Sequence, residues 1–469
     1  MPAGVALSRT GRRLGLVVAG AVLLRLAVWM MVGGYSLSTD ENHWRRMGMS
    51  IYAEGWMAPR AHTYRPPLYP LFIAATYHLA GPHDGAVRIA QALLGAATCL
   101  LVYALGVRIG TPATGMLAAV AAAGYPLLVL FANLLMAEVL LTVLVLLCVL
   151  AALRLLERDR LVDAALLGAA CGLAALCKPV VLAWVPLLVA VWGWVRLHDG
   201  VPARAGGQAW DPARDRKRDE AWARGSTWAR DDARARKRDE AWARQDARKE
   251  NDAREWEARP APAAPGLAAA LARGAALAGG LLLVLAPWSL RNAAMTGQWT
   301  PLSTNLGINL LIGHEPEATG GYRHGVDYLS MYHELVDYEM HPVVANRLAT
   351  RRMLRVMVAS PLRTVQLAIR KIVELWSPRV TGTRGWLAVA GALSTGPVIV
   401  LGLCGLWQVR RTHTGLVVGS LALALTLVHA LIFANTRFRL PVDAALLAPA
   451  ALMAQRLWRR WRDSRSRRR

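Results

Sequence analysis

The chain has 469 residues, of which 55% are hydrophobic and only 18% are charged, so it is more apolar than a typical soluble domain. A formal net charge of +24 would suggest nucleic acid in a soluble protein. Here, apolar runs recur at lengths that cross a hydrocarbon core of about 30 Å. Much of the excess charge lies between or after those runs. We therefore exclude nucleic acid as a partner and expect anionic membrane lipids instead.

About ten apolar runs are predicted to be transmembrane helices, each near the length of roughly 20 residues that a span needs. Their continuous Leu, Ala, Val and Gly content lacks the alternation of a membrane β-strand. The predicted spans are 14–35, 86–109, 112–132, 135–156, 161–177, 179–196, 266–287, 388–408, 415–434 and 440–458. The first run is too long for a removable signal peptide and is kept as an anchor. The predicted fold class is an all-α polytopic membrane protein.

Lys and Arg beside the spans predict their orientation. Arg9, Arg12 and Arg13 precede the first span, which places the N-terminus in the cytoplasm. Alternation of the spans then places further basic groups on the same side: Arg108, the 154–160 turn, Arg410, Arg411 and the tail from Arg456. The stretches 36–85 and 288–385 are expected on the outer face.

The membrane part is interrupted by segments of different composition. Residues 1–196 are predicted to form an N-terminal membrane core whose first outer loop is 36–85. Within that loop, 66–80 is apolar but short and begins with prolines, which favours an interfacial helix. A short re-entrant or spanning segment is the alternative. The remaining predicted parts are a span at 266–287, an α-rich outer segment at 288–385, C-terminal spans within 386–458 and a basic cytoplasmic tail at 459–469.

Residues 197–265 are predicted to be a charged cytoplasmic insert. Its part 203–259 contains a repeat, because the sequence from Lys217 to Arg224 returns from Lys237 to Arg244. Interleaved Ala, Arg, Lys and Glu allow i,i+4 ion pairs on a helix. The pattern is typical of a solvated helix or a disordered loop, and a partner-binding role stays open.

Ionisable residues collect where the predicted spans end. Asp40 and Glu41 follow the first span, and the sequence Tyr64-Arg65-Pro66-Pro67 lies in the same loop. Four more charged residues stand at later span ends: Glu138, Lys178, Arg291 and Arg437. A charge at a helix centre in a membrane costs about 2.5–3.5 kcal/mol on insertion scales, and one near an end costs less but still requires a reason. Charges from several chain regions on one membrane face predict a site.

This mixture of residues suits group transfer from a lipid phosphate. A carboxylate can take the proton of an attacking hydroxyl as a general base. Arg and Lys can neutralise a departing phosphate. Since one base suffices, the second acid of the Asp40–Glu41 pair could orient it, bind a metal or bind sugar hydroxyls. His43 beside the acids leaves a divalent metal open, with Glu41 and His43 as candidate ligands. Tyr64 could stack on a sugar ring or anchor the loop at the interface.

The motifs, in their order, resemble those of the GT-C superfamily of polytopic glycosyltransferases. They are Asp40–Trp44, Arg65–Pro70, Ala137-Glu138, Lys178-Pro179, Pro287–Asn292, Asn305–Leu310, Gly320–Tyr322 and Arg437–Pro441. The chain looks like the glycosyltransferase family 39-like bacterial members, which are related to protein O-mannosyltransferases and aminoarabinose transferases. The motifs cover most of the chain outside the insert.

The resemblance implies an inverting transferase that takes a sugar from a polyprenyl-phosphate donor at the outer face of the bacterial inner membrane. The site would face the periplasm or the cell exterior, and the acceptor would be a lipid, a glycan or a protein. By this resemblance Asp40 is the base and Glu41 an assistant or the alternative base. Arg65 and Lys178 contact the donor phosphate, with Glu138 in support. Weaker correspondences are Arg291 and Arg437. A multi-span transporter or lipid flippase is the alternative, which mid-span charges would favour.

Overall fold

The structure is a computed structural model that describes residues 9–32, 38–57, 63–198, 266–323, 325–336, 340–381 and 385–466. Two compact units divide the chain: Met1–Trp192 with Leu267–Arg469, and Gly193–Gly266. The predicted charged insert at 203–259 lies outside the described residues. Everything below concerns the larger unit.

Seventeen α-helices account for most of the described residues, which confirms the predicted all-α class. The first nine are α1 Arg9–Val32, α2 Thr39–Glu54, α3 Leu68–Ala80, α4 Asp84–Ile109, α5 Pro112–Gly124, α6 Pro126–Phe131, α7 Glu138–Arg158, α8 Leu161–Cys177 and α9 Val185–His198. The other eight are α10 Leu267–Thr296, α11 Leu306–His314, α12 Tyr328–Leu335, α13 Pro342–Ala359, α14 Pro361–Leu375, α15 Gly385–Gln408, α16 His413–Leu431 and α17 Leu440–Ser466. Short 3₁₀ turns at Pro179–Trp184 and Thr436–Arg439 precede α9 and α17.

Seven of the ten predicted spans are helices long and apolar enough to cross a membrane, within the part of the chain that is described. The other three differ for local reasons. The run 112–132 is broken between α5 and α6 at Tyr125, because Pro126 starts a new helix. The run 161–177 forms the shorter helix α8. The run 440–458 lies in α17, which also carries Asp443 and the basic tail.

The helices that carry the site are held by close packing. A Cβ atom on Gly280 of α10 would lie 2.1 Å from the carbonyl oxygen of Ala165 in α8, so glycine lets these two helices approach backbone to backbone. The first half of α17 is buried among α4, α5, α7 and α15. It forms the centre of the bundle, and its N-terminal end follows the turn that contains Arg437.

The predicted outer segment is α-rich, with four helices, α11 to α14. Its predicted helical stretch near 342–376 is two helices, because Pro361 follows Ser360 and starts α14 at the first helical position. The segment reaches the C-terminal part through an isolated bridge between Gly321 and Ala434. Gly320, at φ +107°, has a backbone conformation that side-chain-bearing residues rarely adopt. This connection brings the segment next to the Thr436–Arg439 turn.

Candidate active site

Asp40 lies in the first turn of α2, and a capping box fixes that turn. The side chain of Ser38 accepts from the backbone nitrogen of Glu41, and Glu41 accepts in return from the nitrogen and hydroxyl of Ser38. The second carboxylate oxygen of Glu41 accepts from the backbone nitrogen of Leu135 at 2.9 Å. Glu41 is therefore buried and joins the start of α2 to the segment before α7. The neighbouring Asp40 carboxylate takes no part in these contacts and pairs with two arginines instead.

Two arginines far apart in the sequence hold Asp40. Arg65 Nη2 lies 2.5 Å from Asp40 Oδ1, and Arg437 Nη2 lies 2.9 Å from Asp40 Oδ2. Asp40 itself keeps 31% of its side chain exposed. The carboxylate is therefore shared by two cations and still reachable from outside the protein.

The chain of charges continues to α7 and α8. Glu138 Oε1 accepts from Lys178 Nζ at 2.7 Å and lies 3.6 Å from Arg437 Nε. Glu138 is the first residue of α7, and Lys178 directly follows the last residue of α8. The five alternating charges Arg65, Asp40, Arg437, Glu138 and Lys178 are called the site network below. It contains three cations and two anions, so one positive charge is left over.

Aromatic rings support the cations of the site network. The guanidinium of Arg65 lies 4.5 Å from the ring centroid of Trp44, and Lys178 Nζ lies 4.8 Å from that of Phe438. Arg437 also lies over Phe438, at 5.2 Å. Such contacts are attractive because the ring face carries negative charge. Trp44 and Phe438 thus help to fix the positions of all three cations. The sequence motifs predicted no role for the Phe438 side chain.

The electrostatic environment keeps Asp40 ionised. Burial alone would raise the pKa of Asp40, but the charges and hydrogen bonds of Arg65 and Arg437 outweigh burial and hold this pKa well below its usual value. A carboxylate with such a low pKa is a weak proton acceptor for as long as both arginines stay on it. Any group that draws an arginine away strengthens Asp40 as a base.

A second, fully buried charge pair anchors Arg437. Arg439 Nε donates to Asp443 Oδ1 at 2.7 Å, and Tyr125 donates to Asp443 Oδ2 at 2.9 Å. Arg439 also donates to the carbonyl oxygen of Leu375 at 2.5 Å. Because Arg437 and Arg439 share one 3₁₀ turn, this buried pair fixes the turn that presents Arg437 to Asp40. No sequence motif indicated this role for Asp443, which lies within the predicted apolar span 440–458.

The remaining predicted site residues lie around the network. Tyr64 is half-buried, and its ring centroid is 5.5 Å from that of His43 and 5.8 Å from the Arg65 guanidinium. Arg291 is buried on α10, where it donates to the carbonyl oxygen of Trp56 and lies over Trp288. The structure therefore brings Asp40, Arg65, Glu138, Lys178 and Arg437 together, with Tyr64 beside them, and places Arg291 in other contacts.

The residues described here do not fit a metal site. No group of three or more His, Cys, Asp or Glu side chains within the described ranges could hold a metal ion. The candidate ligand Glu41 has both oxygens engaged by Ser38 and Leu135, and Asp40 faces two arginines.

Arg25 is a buried charged residue that is not among the predicted site residues. It lies inside the span formed by α1, is buried, and donates to the carbonyl oxygens of Ala21 and Ala123. A Cβ atom on Gly95 would lie 2.3 Å from its Nε, so α4 leaves room for the guanidinium by having glycine there. A lone Arg within an apolar run was the available signal.

Comparison with known proteins agrees with the motifs. Residues 64–203 match the family model described as dolichyl-phosphate-mannose-protein mannosyltransferase. That segment contains Arg65, Glu138 and Lys178, whereas Asp40 and Arg437 lie outside it. Over these residues the match agrees with the resemblance to the GT-C superfamily, since the matched family is one of membrane glycosyltransferases of that type. No curated protein matches the chain.

Solved structures that align over most of the chain include two membrane enzymes. An oligosaccharyltransferase from Archaeoglobus fulgidus, in its apo form, aligns at a TM-score of 0.45 and 12% identity over 98% of this chain and 51% of its own. ArnT from Cupriavidus metallidurans, bound to undecaprenyl phosphate, aligns at 0.41 and 14% over 95% of this chain and 78% of its own. The chain thus spans about half the length of the archaeal protein. At these TM-scores neither likeness assigns a substrate or a site residue.

Proposed function

We propose that the chain transfers a sugar from a polyprenyl-phosphate-linked donor to an acceptor hydroxyl, with inversion at the anomeric carbon. The observation that carries this proposal is the site network, in which Asp40 is shared by Arg65 and Arg437. The network also includes Glu138 and Lys178, which lie at the ends of candidate spans. The excess of one cation suits a lipid phosphate, whose tail would remain in the membrane beside the site. In line with the predicted orientation, the reaction would take place at the outer face of the bacterial inner membrane.

In the proposed transfer, the Asp40 carboxylate and the cations of the network have different roles. The acceptor oxygen forms a bond to the anomeric carbon while the bond from that carbon to the phosphate oxygen breaks. The acceptor proton passes to Asp40, and the bonding electron pair leaves with the polyprenyl phosphate. The departing phosphate is stabilised by the cations Arg65, Arg437 and Lys178. An arginine can donate two parallel hydrogen bonds to the oxygens of one phosphate. Each residue acts from the position that the network gives it.

Donor binding would also activate the base. A donor phosphate competes with Asp40 for Arg65 and Arg437, because it offers the same kind of anionic oxygen. Once these arginines turn to the phosphate, the pKa of Asp40 rises toward the range in which a carboxylate accepts protons. The base would therefore become effective only when a donor is present.

The two first-loop acids thus receive different proposed roles. Asp40 is reachable and shared by cations, which suits the base. Glu41 is buried and bonded to Ser38 and Leu135, which favours an orienting role over that of an alternative base. The acceptor is a lipid, a glycan or a protein hydroxyl. The network lies at helix ends, which favours the transferase over the transporter alternative. A transporter would use charges in the middle of a span, such as Arg25 in α1.

The test is transfer of a labelled sugar from a polyprenyl-phosphate sugar by the purified chain in lipid nanodiscs. Asp40→Asn is expected to lower the rate by about 10²–10⁴-fold, the contribution of a positioned base. Asp84→Asn is the matched control, because Asp84 is a similarly exposed acid, 24% against 31%, that contacts Tyr77 and Arg45. Its rate should equal that of the wild type. A folded Asp40→Asn variant with full activity would refute the role of Asp40.

A further inference from the structure

Helix α14, Pro361–Leu375, has its apolar side on the outside. Four residues at helical spacing are mostly uncovered: Leu362 at 71%, Val365 at 56%, Ile369 at 57% and Val373 at 66% exposure. The face packed against the protein carries Leu367, Lys371 and Leu375, which are buried. Ile369 and Lys371 are two positions apart, about 200° around the helix axis. The helix therefore buries a lysine and leaves a continuous apolar stripe, which reverses the pattern of a helix on a soluble domain.

The contacts of α14 place its C-terminal end beside the candidate span α16. Lys371 Nζ donates to the carbonyl oxygen of Leu431, the last residue of the span α16, at 3.4 Å. Trp376, directly after α14, donates from Nε1 to the hydroxyl of Thr426 at 3.1 Å. Thr426 lies five residues inside the span, about 7.5 Å along its axis. The C-terminal end of α14 therefore lies beside the last turns of α16, not beyond the end of that helix.

We propose that α14 lies in the membrane leaflet at the site's end of the spans, with Leu362, Val365, Ile369 and Val373 against lipid acyl chains. Lipid is the occupant favoured by depth, because α16 exposes Leu427 and Leu431 over the same turns. The exposed Arg370 lies about 100° around the helix from Ile369. It can extend from the stripe to anionic headgroups, as is typical of interfacial helices.

This position of α14 would fix the depth of the site network in the membrane. The carbonyl oxygen of Leu375, the last residue of α14, accepts from Arg439 in the turn that contains Arg437. Arg370 also packs against Gly320, where a Cβ atom would lie 3.1 Å from that of Arg370. A helix held in the interface therefore holds the Arg437 turn at a fixed level relative to the lipid headgroups. The proposal does not depend on the transfer reaction.

The experiment measures where a nitroxide label on α14 resides in the full chain in nanodiscs. Cys404 is the exposed one of the five free cysteines, so Cys404→Ser provides the background. Ile369→Cys carries the label. Leu283→Cys, 76% exposed within the span α10, serves as the lipid reference, and Ser330→Cys on α12 serves as the reference outside the spans. Collision rates with oxygen and with a water-soluble nickel complex are recorded for each.

The expected result is an Ile369 label that resembles the Leu283 label: frequent collisions with oxygen and few with nickel. A label as accessible to nickel as that on Ser330 would overturn the proposal, since the stripe would then face water. A label shielded from both reagents would also overturn it, since protein would then cover the stripe. Val373→Cys repeats the test at a second position if Ile369→Cys fails to fold.

Discussion

Two charge clusters each include an arginine of the short turn Thr436–Arg439, and they differ in exposure and in net charge. The site network around Arg437 is partly exposed, has one excess cation, and joins residues from five regions of the chain. The Arg439–Asp443 pair, two residues further on, has side-chain exposures of only 1% and 0% and balances its charges. Both contain an arginine paired with an aspartate. Accessibility and net charge, rather than residue type, therefore distinguish the candidate site from its support.

The largest effect is expected at the buried pair. Asp443→Asn leaves the Arg439 guanidinium buried without its anion, and breaking such a pair costs about 3–5 kcal/mol of unfolding free energy. The measurement is denaturant unfolding in detergent. Glu157→Gln is the control, because the Arg108–Glu157 pair is exposed and should contribute about 0–1 kcal/mol. If both variants lose the same small amount, the distinction between the clusters is wrong.

At the site network the loss should appear in donor binding rather than in folding. Arg437→Gln removes a charge-assisted contact worth about 1.5–3 kcal/mol, which corresponds to roughly a 10- to 100-fold weaker donor affinity. Initial rates at varied donor concentration measure this effect. Arg45→Gln removes an exposed charge near Asp84 instead and should leave the affinity unchanged. Equal weakening by both variants would indicate a diffuse electrostatic attraction rather than a site.

A smaller effect is expected for Glu41→Gln. The amide oxygen can still accept from Leu135, and only part of the capping box with Ser38 is lost, a change of about 1 kcal/mol. The transfer rate should fall by less than about tenfold, against the much larger loss for Asp40→Asn. A loss as large as that of Asp40→Asn would make Glu41 the better candidate for the base.

The pH dependence should separate the free protein from its donor complex. The pKa of Asp40 is depressed, so its ion pairs are complete above the unfolded value of about 3.9 and are lost only as pH falls through the lower folded pKa. The profile of kcat/KM, which reports the free enzyme, should therefore show no acid limb from Asp40 between pH 5 and 8. The acid limb of kcat reports the donor complex, in which the arginines have turned to the phosphate. It should therefore lie at a higher pH than any limb that Asp40 causes in kcat/KM. Coinciding limbs would contradict activation by the donor.

The sequence predicts the fold class and seven of the ten spans, because apolar runs are local signals. The capping box of Ser38 and Glu41 was not predicted, although Ser followed three residues later by Glu is its local signature. Pairings such as Asp40 with Arg437 have no such signature, since nothing local fixes a distance between residues almost 400 positions apart. Asp443 escaped notice because its partners Arg439 and Tyr125 come together only in the packed bundle.

Direct lipid binding tests the central claim, that the site network holds a lipid phosphate. Native mass spectrometry of the chain would compare a polyprenyl phosphate with the polyprenol of the same length, which lacks only the phosphate. The account predicts preferential binding of the phosphate by the wild type and loss of that preference in Arg437→Gln but not in Arg45→Gln. Equal binding of the two lipids by the wild type would contradict it.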